Sequence, residues 1–570
     1  MMAAACNKVE LNPAEGVEES TPAANMIVET ISATTEMSTK ATIANSDGAF
    51  AWTAGEHIAV HVSNGGTHKY VLTSDTGGSG ASDAAGTASF TIAYESGFSR
   101  DAFAVYPSTI VDGGADNYGV GGPLKVTLPS SYTLAQVSGE TTPCPMIADN
   151  TGSGWTFSQL CGLLRLTVKS IPADATGLAI QFPGRKVNGS FSIASPVPGS
   201  STITTDAPGS GEDCITVTFA AGTGTEMTLN IPLPTGVYEY VYITPLGSST
   251  KVAAIRHIKA ASYVASRAQG KKLTATLVSF SVSASKKVIF APGNLQATYD
   301  VTGQSWSWHF AANQYERIGN GSGNKLITTS TKETTEPYAK LSAGGTVDMF
   351  GRSTDKTYYG IAISTNASDY SGAFIDWGGL DIRKNATPPY AYYTKNYWQT
   401  LSETEWQYLI GEGTYRTTGG TIQWTEGSTT HVILNALCTK ATVNGIYGFI
   451  IFPDHYSGNM PLGVAWDENS ISSGNMAHSG TTGWKSTATS NGWEALEAEG
   501  CVFLPVEGLR LGYYEGYGNN VIANGSDGYY MSSNSASVVL RFSDAGFDPN
   551  QGLGGLSYAG RSVRLAHEIE

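Results

Sequence analysis

The residues best suited to covalent or metal chemistry are the six cysteines and nine histidines, and their spacing favours neither kind of chemistry. No Cys-x-x-Cys pair occurs, and no histidine stands beside a cysteine at metal-ligand spacing, which argues against a zinc site. Ser532 and Ser533 lack the Gly-x-Ser-x-Gly surroundings of a nucleophile elbow. We therefore predict no catalytic, cofactor-binding or metal-binding residue, and a protein that is not an enzyme.

Most of the cysteines are expected to be small apolar core residues. In an exported protein two pairs could instead be bridged, Cys144 with Cys161 or Cys438 with Cys501. The sequence leaves both states open.

Cys6 is the cysteine whose surroundings suggest a modification. Three alanines precede it, as in the last residues of a bacterial lipoprotein signal, and a polar run over residues 7–25 follows it. Such a run supplies the flexible tether that a lipidated cysteine needs. We predict acylation of Cys6 and anchoring to the outer membrane, with the true start upstream because five residues cannot form a signal peptide. The alternative is a chance cysteine near the start of the chain.

Aromatic and amide side chains gather in two Gly/Ser/Asn-rich stretches, residues 454–490 and 511–527. Rigid rings give contact area at low entropic cost, and Asn and Ser side chains supply hydrogen bonds, so these stretches are typical of a recognition surface. The alternative for each ring is burial beneath its own loop. The residues predicted to contact a ligand are Trp466, Asp467, Asn469, Trp484, Tyr513, Tyr514, Tyr517 and Asn519.

The elements that must position these loops are mostly strands. Period-two alternation recurs through the first 280 residues, for example at Ile58, Val60 and Val62 and again at Leu164 and Leu166. A Pro/Gly-rich segment over residues 141–154 separates two such sets. We predict two β-sandwiches.

The last part of the chain differs in composition, since nine of the eleven tryptophans follow residue 281. It also contains two helix patterns. Ser402 and Glu405 have the spacing of a capping box, and Asn491 and Glu494 repeat that spacing ahead of Gly500. The fold class predicted is mainly β with a C-terminal α+β domain.

Charge and hydropathy exclude several kinds of partner. The 33 basic and 48 acidic residues give a net charge of −15, so nucleic acid and anionic membrane surfaces are poor partners. No stretch approaches the ~20 apolar residues of a membrane-spanning helix. The chain is therefore not expected to cross a membrane, and the anchoring expected of it rests on Cys6.

Residues 29–34 (ETISAT), 39–42 (TKAT), 50–60 (FAWTAGEHIAV) and 157–165 (FSQLCGLLR) resemble the fimbrillin-like lipoproteins of type V pili. That family usually has Asp where this chain has Glu56 and His57. The resemblance implies two sandwiches of transthyretin-like topology and partners that are other pilin subunits, joined by donor-strand exchange.

Six segments after residue 281 are similar, in order, to bacterial surface domains with a C-type-lectin-like fold. They are residues 290–295 (FAPGNL), 310–315 (FAANQY), 376–378 (DWG), 398–406 (WQTLSETEW), 502–505 (VFLP) and 562–565 (SVRL). The Glu-Pro-Asn and Trp-Asn-Asp motifs with which that fold often holds calcium do not occur, so calcium-dependent sugar binding is not expected. Formylglycine-generating enzymes share the fold, but Cys438 and Cys501 lie in apolar runs unlike a reactive pair.

These observations divide the chain into a lipoprotein N-terminus and tether (1–25), a first sandwich (26–151), a second sandwich (152–280) and a lectin-like domain (281–570). Lys40 is the only basic residue between Lys8 and His57, and cleavage after it would release the first strand for exchange with a partner's strand. The alternative is an ordinary turn lysine.

The function predicted is a surface pilus tip subunit and adhesin that binds a host or bacterial glycan or protein. A whole domain after Leu277 would hinder strand donation, as expected of an end subunit. One alternative is a stand-alone surface lipoprotein that binds glycans for uptake. Another is a glycan-processing enzyme, which would need a carboxylate pair that the sequence does not reveal.

Overall fold

Strands dominate the computed structural model of the chain, which confirms the prediction of a mainly β protein. No helix in the described part of the chain is long and apolar enough to cross a membrane. The residues that the structure describes are 26–35, 56–72, 87–111, 124–138, 145–150, 154–193, 200–258, 264–265, 270–319, 321, 324, 344–354, 359–361, 370–384, 392–411, 414–426, 428–459, 465–466, 491–511, 521–522, 525–534, 538–552 and 559–569.

A seven-stranded sheet organises the first part of the chain. The elements described within residues 26–159 are β1 (Met26–Thr35), β2 (Ala59–Asn64), β3 (Thr67–Leu72), β4 (Thr87–Glu95), β5 (Ser99–Tyr106), a 3-10 turn (Ser108–Ile110), β6 (Leu124–Leu128), β7 (Ser131–Thr133), α1 (Leu134–Ser138), β8 (Met146–Asn150) and β9 (Trp155–Gln159). The strand order in the sheet is β3-β2-β5-β8-β9-β1-β4. Because β9 pairs with both β8 and β1, this sheet extends past the predicted boundary at residues 151 and 152.

The alternation on β2 places Ile58, Val60 and Val62 in the core, as predicted. Ala59 and His61 on the opposite face of the strand are also buried. Ala59 packs in a second cluster with Leu124 and Phe191, which come from β6 and the later strand 189–193. The sheet is therefore covered on both faces at this point, by a layer that lies far away in sequence.

The second part of the chain forms another two-layered β unit. Its strands are β10 (Gly162–Lys169), β11 (Gly177–Gln181), β12 (Gly189–Ile193), β13 (Cys214–Thr218), β14 (Glu226–Leu233), β15 (Gly236–Val237), β16 (Tyr240–Leu246), β17 (Ala254–His257), β18 (Val264–Ala265) and β19 (Gly270–Thr276). One sheet has the order β14-β10-β19 and the other β17-β16-β11-β13-β7. Leu164, Leu166 and Val168 of β10 lie in the core between them, as their alternation predicts.

Residues 124–138 connect the two sandwiches, because their two strands pair with strands that come later in the sequence. β6 pairs antiparallel with β12, and β7 pairs parallel with β13. Val137 of α1 packs in the core of the second unit. The two sandwiches are thus interlocked through strand pairing, which neither composition nor turn residues indicate.

The described residues of the C-terminal part combine short strands with two α-helices, in agreement with the predicted α+β class. Ser402 and Glu405 form the predicted capping box, in which each side chain accepts a hydrogen bond from the other residue's backbone N–H. The second helix ends before Gly500, whose φ of +84° suits a helix C-terminus. The strands before the second helix are β20 (Phe280–Ser281), β21 (Lys287–Phe290), β22 (Leu295–Asp300), β23 (Ser305–Phe310), β24 (Gly345–Val347), β25 (Met349–Phe350), β26 (Gln399–Thr400), β27 (Gly420–Glu426), β28 (Thr429–Ala436), β29 (Cys438–Val443), β30 (Ile446–Ile451), β31 (Ser457–Asn459) and β32 (Ala465–Trp466).

The remaining elements complete this part of the fold. They are the helices α2 (Glu403–Ile410) and α3 (Asn491–Ala498), a 3-10 turn (Trp377–Gly379), and the strands β33 (Val502–Pro505), β34 (Leu509–Arg510), β35 (Val521–Ile522), β36 (Asp527–Met531), β37 (Val538–Ser543), β38 (Gly546–Gly552), β39 (Arg561–Ser562) and β40 (Leu565–Glu568). The largest sheet has the order β25-β39-β36-β37-β38. Trp406 of α2 is fully buried against Phe290 and Tyr530, so this helix is fixed to the sheets by its apolar face.

Candidate functional site

The first strand occupies an inner position in the first sheet, between β9 and β4. It pairs antiparallel with β4 over nine residues, from Met26 opposite Glu95 to Thr34 opposite Thr87. It pairs parallel with β9 over three residues near its C-terminal end. Removal of β1 would therefore leave unpaired backbone groups on both neighbours, and such a vacancy can accept another strand.

One face of β1 points into the sandwich core. Ile31 and Ala33 are buried there, and Ile27 packs against the same cluster. The alternation places Glu29 on this face as well. The Glu29 carboxylate is held by two residues of the sandwich, Tyr94 and Arg100. A strand in this position is thus fixed by main-chain hydrogen bonds, apolar burial and one charged contact.

Tyr94 and Arg100 contact different oxygens of that carboxylate. The Tyr94 hydroxyl donates to Oε1 over 2.6 Å, and Arg100 Nη1 lies 3.0 Å from Oε2. Burial, followed by the hydrogen bond to Glu29, raises the pKa of Tyr94 to about 12, so the phenol keeps its proton. The Arg100 guanidinium also lies over the Trp155 ring, 5.5 Å from its centroid.

The end of the second sandwich is attached directly to the C-terminal part. β19 pairs parallel with β10 over seven residues and is followed within a few residues by β20. Asp454 accepts hydrogen bonds from Ser281 N (3.1 Å), Ser281 Oγ (2.7 Å) and Ser279 Oγ (3.2 Å). The connection after β19 is therefore held in place rather than free to leave as a strand.

Asp454 also forms a buried ion pair with Arg416, 3.0 Å between Oδ1 and Nη1. Burial acts to raise the pKa of Asp454, but the Arg416 guanidinium and the Ser281 donors outweigh it and hold that pKa below its usual range. Glu499 binds across the same junction, accepting from Lys169 Nζ (2.9 Å) and Thr276 Oγ1 (3.0 Å). The junction is thus held by several charged contacts.

Most of the residues predicted as sites lie outside the part of the chain that the structure describes. Trp466 lies in β32, where it pairs with Ala441, and its side chain is among the undescribed ones. The others outside the described residues are Cys6, Lys40, Asp467, Asn469, Trp484, Tyr513, Tyr514, Tyr517 and Asn519.

Two charged features of the structure were not predicted from the sequence. Glu29 was not singled out, although the alternation of Ile27, Ile31 and Ala33 around it gives the signal. A buried carboxyl pair, Asp348 and Glu507, gives no such signal because its members come together only through the tertiary fold.

This carboxyl pair lies in the interior of the C-terminal part. Asn294 Nδ2 donates to Glu507 Oε1 over 2.6 Å, and Asn324 Nδ2 donates to Asp348 Oδ1 over 2.6 Å. Burial, and then the charge of Asp348, hold the pKa of Glu507 well above its ordinary value. Among the described residues no group of three or more His, Cys, Asp or Glu side chains could hold a metal ion.

Three of the cysteines are free thiols in the structure, namely Cys214, Cys438 and Cys501. The bridge considered between Cys438 and Cys501 is therefore not formed. Burial raises the pKa of both thiols, so neither has the thiolate character of a nucleophile. Cys144, the partner considered for Cys161, lies outside the described residues.

Several solved structures described as cell adhesion or fimbrial proteins are similar to part of this chain. A cell adhesion candidate from Bacteroides ovatus shares 14% identity, with 44% of this chain and 92% of that chain covered and a TM-score of 0.26. The tip fimbrial protein Mfa3 from Porphyromonas gingivalis, with a C-terminal truncation, shares 12% identity over 41% of this chain and 81% of its own, with a TM-score of 0.19.

A fimbrial assembly protein from Parabacteroides distasonis shares 9% identity, covering 50% of this chain and 99% of its own, with a TM-score of 0.24. No family model matches the chain. No curated protein matches it either.

Proposed function

We propose that the chain is the tip subunit of a type V pilus and acts as an adhesin. In this proposal it accepts a donor strand from the next subunit in the position of β1 and displays a lectin-like recognition domain at the fibre end. The single observation that carries the proposal is the inner position of β1 between β4 and β9. An edge strand could leave without creating a slot, whereas β1 could not.

A route for removing β1 is part of the proposal. Cleavage after Lys40 would separate β1 and the lipidated Cys6 from the rest of the chain, while β4 and β9 would remain with the sandwich. The incoming strand would regain the main-chain hydrogen bonds and the apolar contacts made by Ile31 and Ala33. A precursor anchored to the outer membrane would thus become a fibre subunit.

The attachment of β19 supports a terminal position. A subunit inside a fibre must both accept and donate a strand, but the segment after β19 is held by Asp454 through Ser279 and Ser281. Leu277 and Val282 on either side of this segment are buried. Freeing it for donation would expose apolar surface and leave a buried charge network incomplete. A chain that accepts but does not donate ends a fibre.

Recognition is assigned in this proposal to residues of the segments 454–490 and 511–527, in which Trp466 lies on the short strand β32. Substituting Ala for Trp466, Trp484, Tyr514 and Tyr517 together is expected to abolish ligand binding at an unchanged melting temperature, because aromatic side chains of a recognition surface supply contact area without supporting the core. Trp377 and Trp406 are fully buried controls, and Ala at either should cost on the order of 3 to 5 kcal/mol of stability. An array of glycans and host proteins measures ligand binding by the four-fold variant and by the two control variants, and thermal melts compare their stability.

The position in the fibre can be observed directly. Gold-labelled antibodies against residues 281–570 should decorate fibre ends in electron micrographs of the bacterium that encodes the chain. Labelling along the shaft would contradict the tip assignment. Labelling only of the cell envelope, with fibres unlabelled, would favour a stand-alone lipoprotein.

A further inference from the structure

Glu29 is a charged residue in an otherwise apolar inward row of β1. Ile31 and Ala33 on the same face are 2% and 0% exposed, and Ile27 packs against the same core. Inward-pointing charges on strands occur where pairing must be selective, because they penalise any strand or register that does not meet a partner for the charge. The contacts of Glu29 therefore bear on which strands this position accepts.

Both partners of Glu29 belong to the sandwich and not to β1. Tyr94 lies on β4 and Arg100 on β5, and together they contact both carboxylate oxygens, at 2.6 and 3.0 Å. If β1 leaves, the hydroxyl donor and the guanidinium remain at the vacated position. The Trp155 ring beneath Arg100 limits where that guanidinium can move.

We propose that Tyr94 and Arg100 select a donor strand that carries a carboxylate at the position of Glu29, in register with apolar residues at the positions of Ile31 and Ala33. The proposal rests on the proposed strand exchange and deepens it by naming the chemistry of the partner strand. A slip by one residue turns the carboxylate and the apolar row to the opposite face, so this contact also fixes the register.

The ion pair between Glu29 and Arg100 changes the affinity for a donor strand by a moderate factor. Glu29 and Arg100 are 34% and 26% exposed, so solvent screens part of their attraction. A neutral amide at this position would still accept from Tyr94 but would lose the ion pair, which corresponds to a roughly three- to tenfold weaker strand. A lysine would confront Arg100 and bind still more weakly.

Synthetic ten-residue peptides with the sequence of residues 26–35 test the proposal on the full chain. A site-specific protease sequence replaces residues 36–41, and the resident strand carries I31A so that it dissociates after cleavage. Fluorescence polarisation then measures uptake of the native, E29Q and E29K peptides. The uncleaved chain is the matched control and should take up none.

We expect the native peptide to bind three- to tenfold more tightly than E29Q, and E29K to bind most weakly. In an R100E chain the preference should reverse in favour of E29K, and the melting temperature of that variant before cleavage reports whether it folds. Equal affinity of the native and E29Q peptides would overturn the inference while leaving strand exchange intact. A cleaved chain that binds none of the peptides would overturn both.

Discussion

At the scale of single residues, the carboxyl pair Asp348 and Glu507 makes stability depend on pH. The raised pKa of Glu507 means that the folded chain keeps a proton which the unfolded chain releases above the ordinary value of 4.5. Folding then takes up a proton, so this contribution is complete at low pH and is lost as the pH rises through the folded-state pKa. The direction is opposite to that of Asp454, whose lowered pKa favours the folded state at higher pH.

Substituting Gln for Glu507 tests this account. The amide oxygen can still accept from Asn294, but the group no longer titrates. We expect the wild-type chain to lose stability relative to E507Q as the pH rises above the ordinary pKa of 4.5, by at most about 1.4 kcal/mol for each pH unit. Chemical denaturation at several pH values gives the measurement, with Glu226→Gln at the exposed start of β14 as the control. Parallel pH profiles for wild type and E507Q would refute the assignment.

At the scale of secondary-structure elements, β1 contributes side chains to the core of the first sandwich. Ile31 is buried in its core, whereas Thr30 beside it is exposed. We expect Ile31→Ala to lower the free energy of unfolding by on the order of 2 to 4 kcal/mol, and Thr30→Ala to change it by less than about 0.5 kcal/mol. Urea unfolding followed by fluorescence compares the two. Equal small effects would mean that β1 contributes little to the core.

Local sequence patterns predicted much of the secondary structure. The alternation at Ile58, Val60 and Val62, and the capping box of Ser402 and Glu405, depend on neighbours within a few residues, and both are found as predicted. The pairing of β6 with β12 joins residues more than sixty positions apart. No local period encodes such a pairing, which explains why the covered second face of β2 was missed.

The boundary between the sandwiches shows the same limitation. Prolines and glycines in residues 141–154 indicate a turn, and the chain does reverse direction between β8 and β9, which pair antiparallel. However, both strands then pair within one sheet. Turn residues identify where a chain reverses, but they do not tell whether the following strand returns to the same sheet.

At the scale of the whole molecule, the two ends of the two-sandwich part differ in how firmly they are held. The N-terminal end is a strand whose departure would leave a slot. The C-terminal end is fixed to the C-terminal α+β part by Asp454 and by Glu499, which binds Lys169 and Thr276. This asymmetry is the physical basis for proposing a subunit that receives a strand and gives none.

A removable cross-link between β1 and β4 tests that asymmetry most directly. Ser32 and Ser89 are exposed and directly opposite in the two strands. Directly opposed residues of antiparallel strands have Cα atoms about 4.5 to 5.5 Å apart, which suits a disulfide. The variant S32C/S89C should therefore fold with β1 locked in place, and S32C alone is the matched control.

The measurement is the presence of this chain at fibre ends, by immunogold labelling of the encoding bacterium, with mass spectrometry to verify the disulfide. We predict that the locked variant reaches the cell surface but is missing from fibre ends, whereas S32C and the chemically reduced double variant are found there. Detection of the locked chain at fibre ends with its disulfide intact would contradict the claim that β1 gives way to a partner's strand.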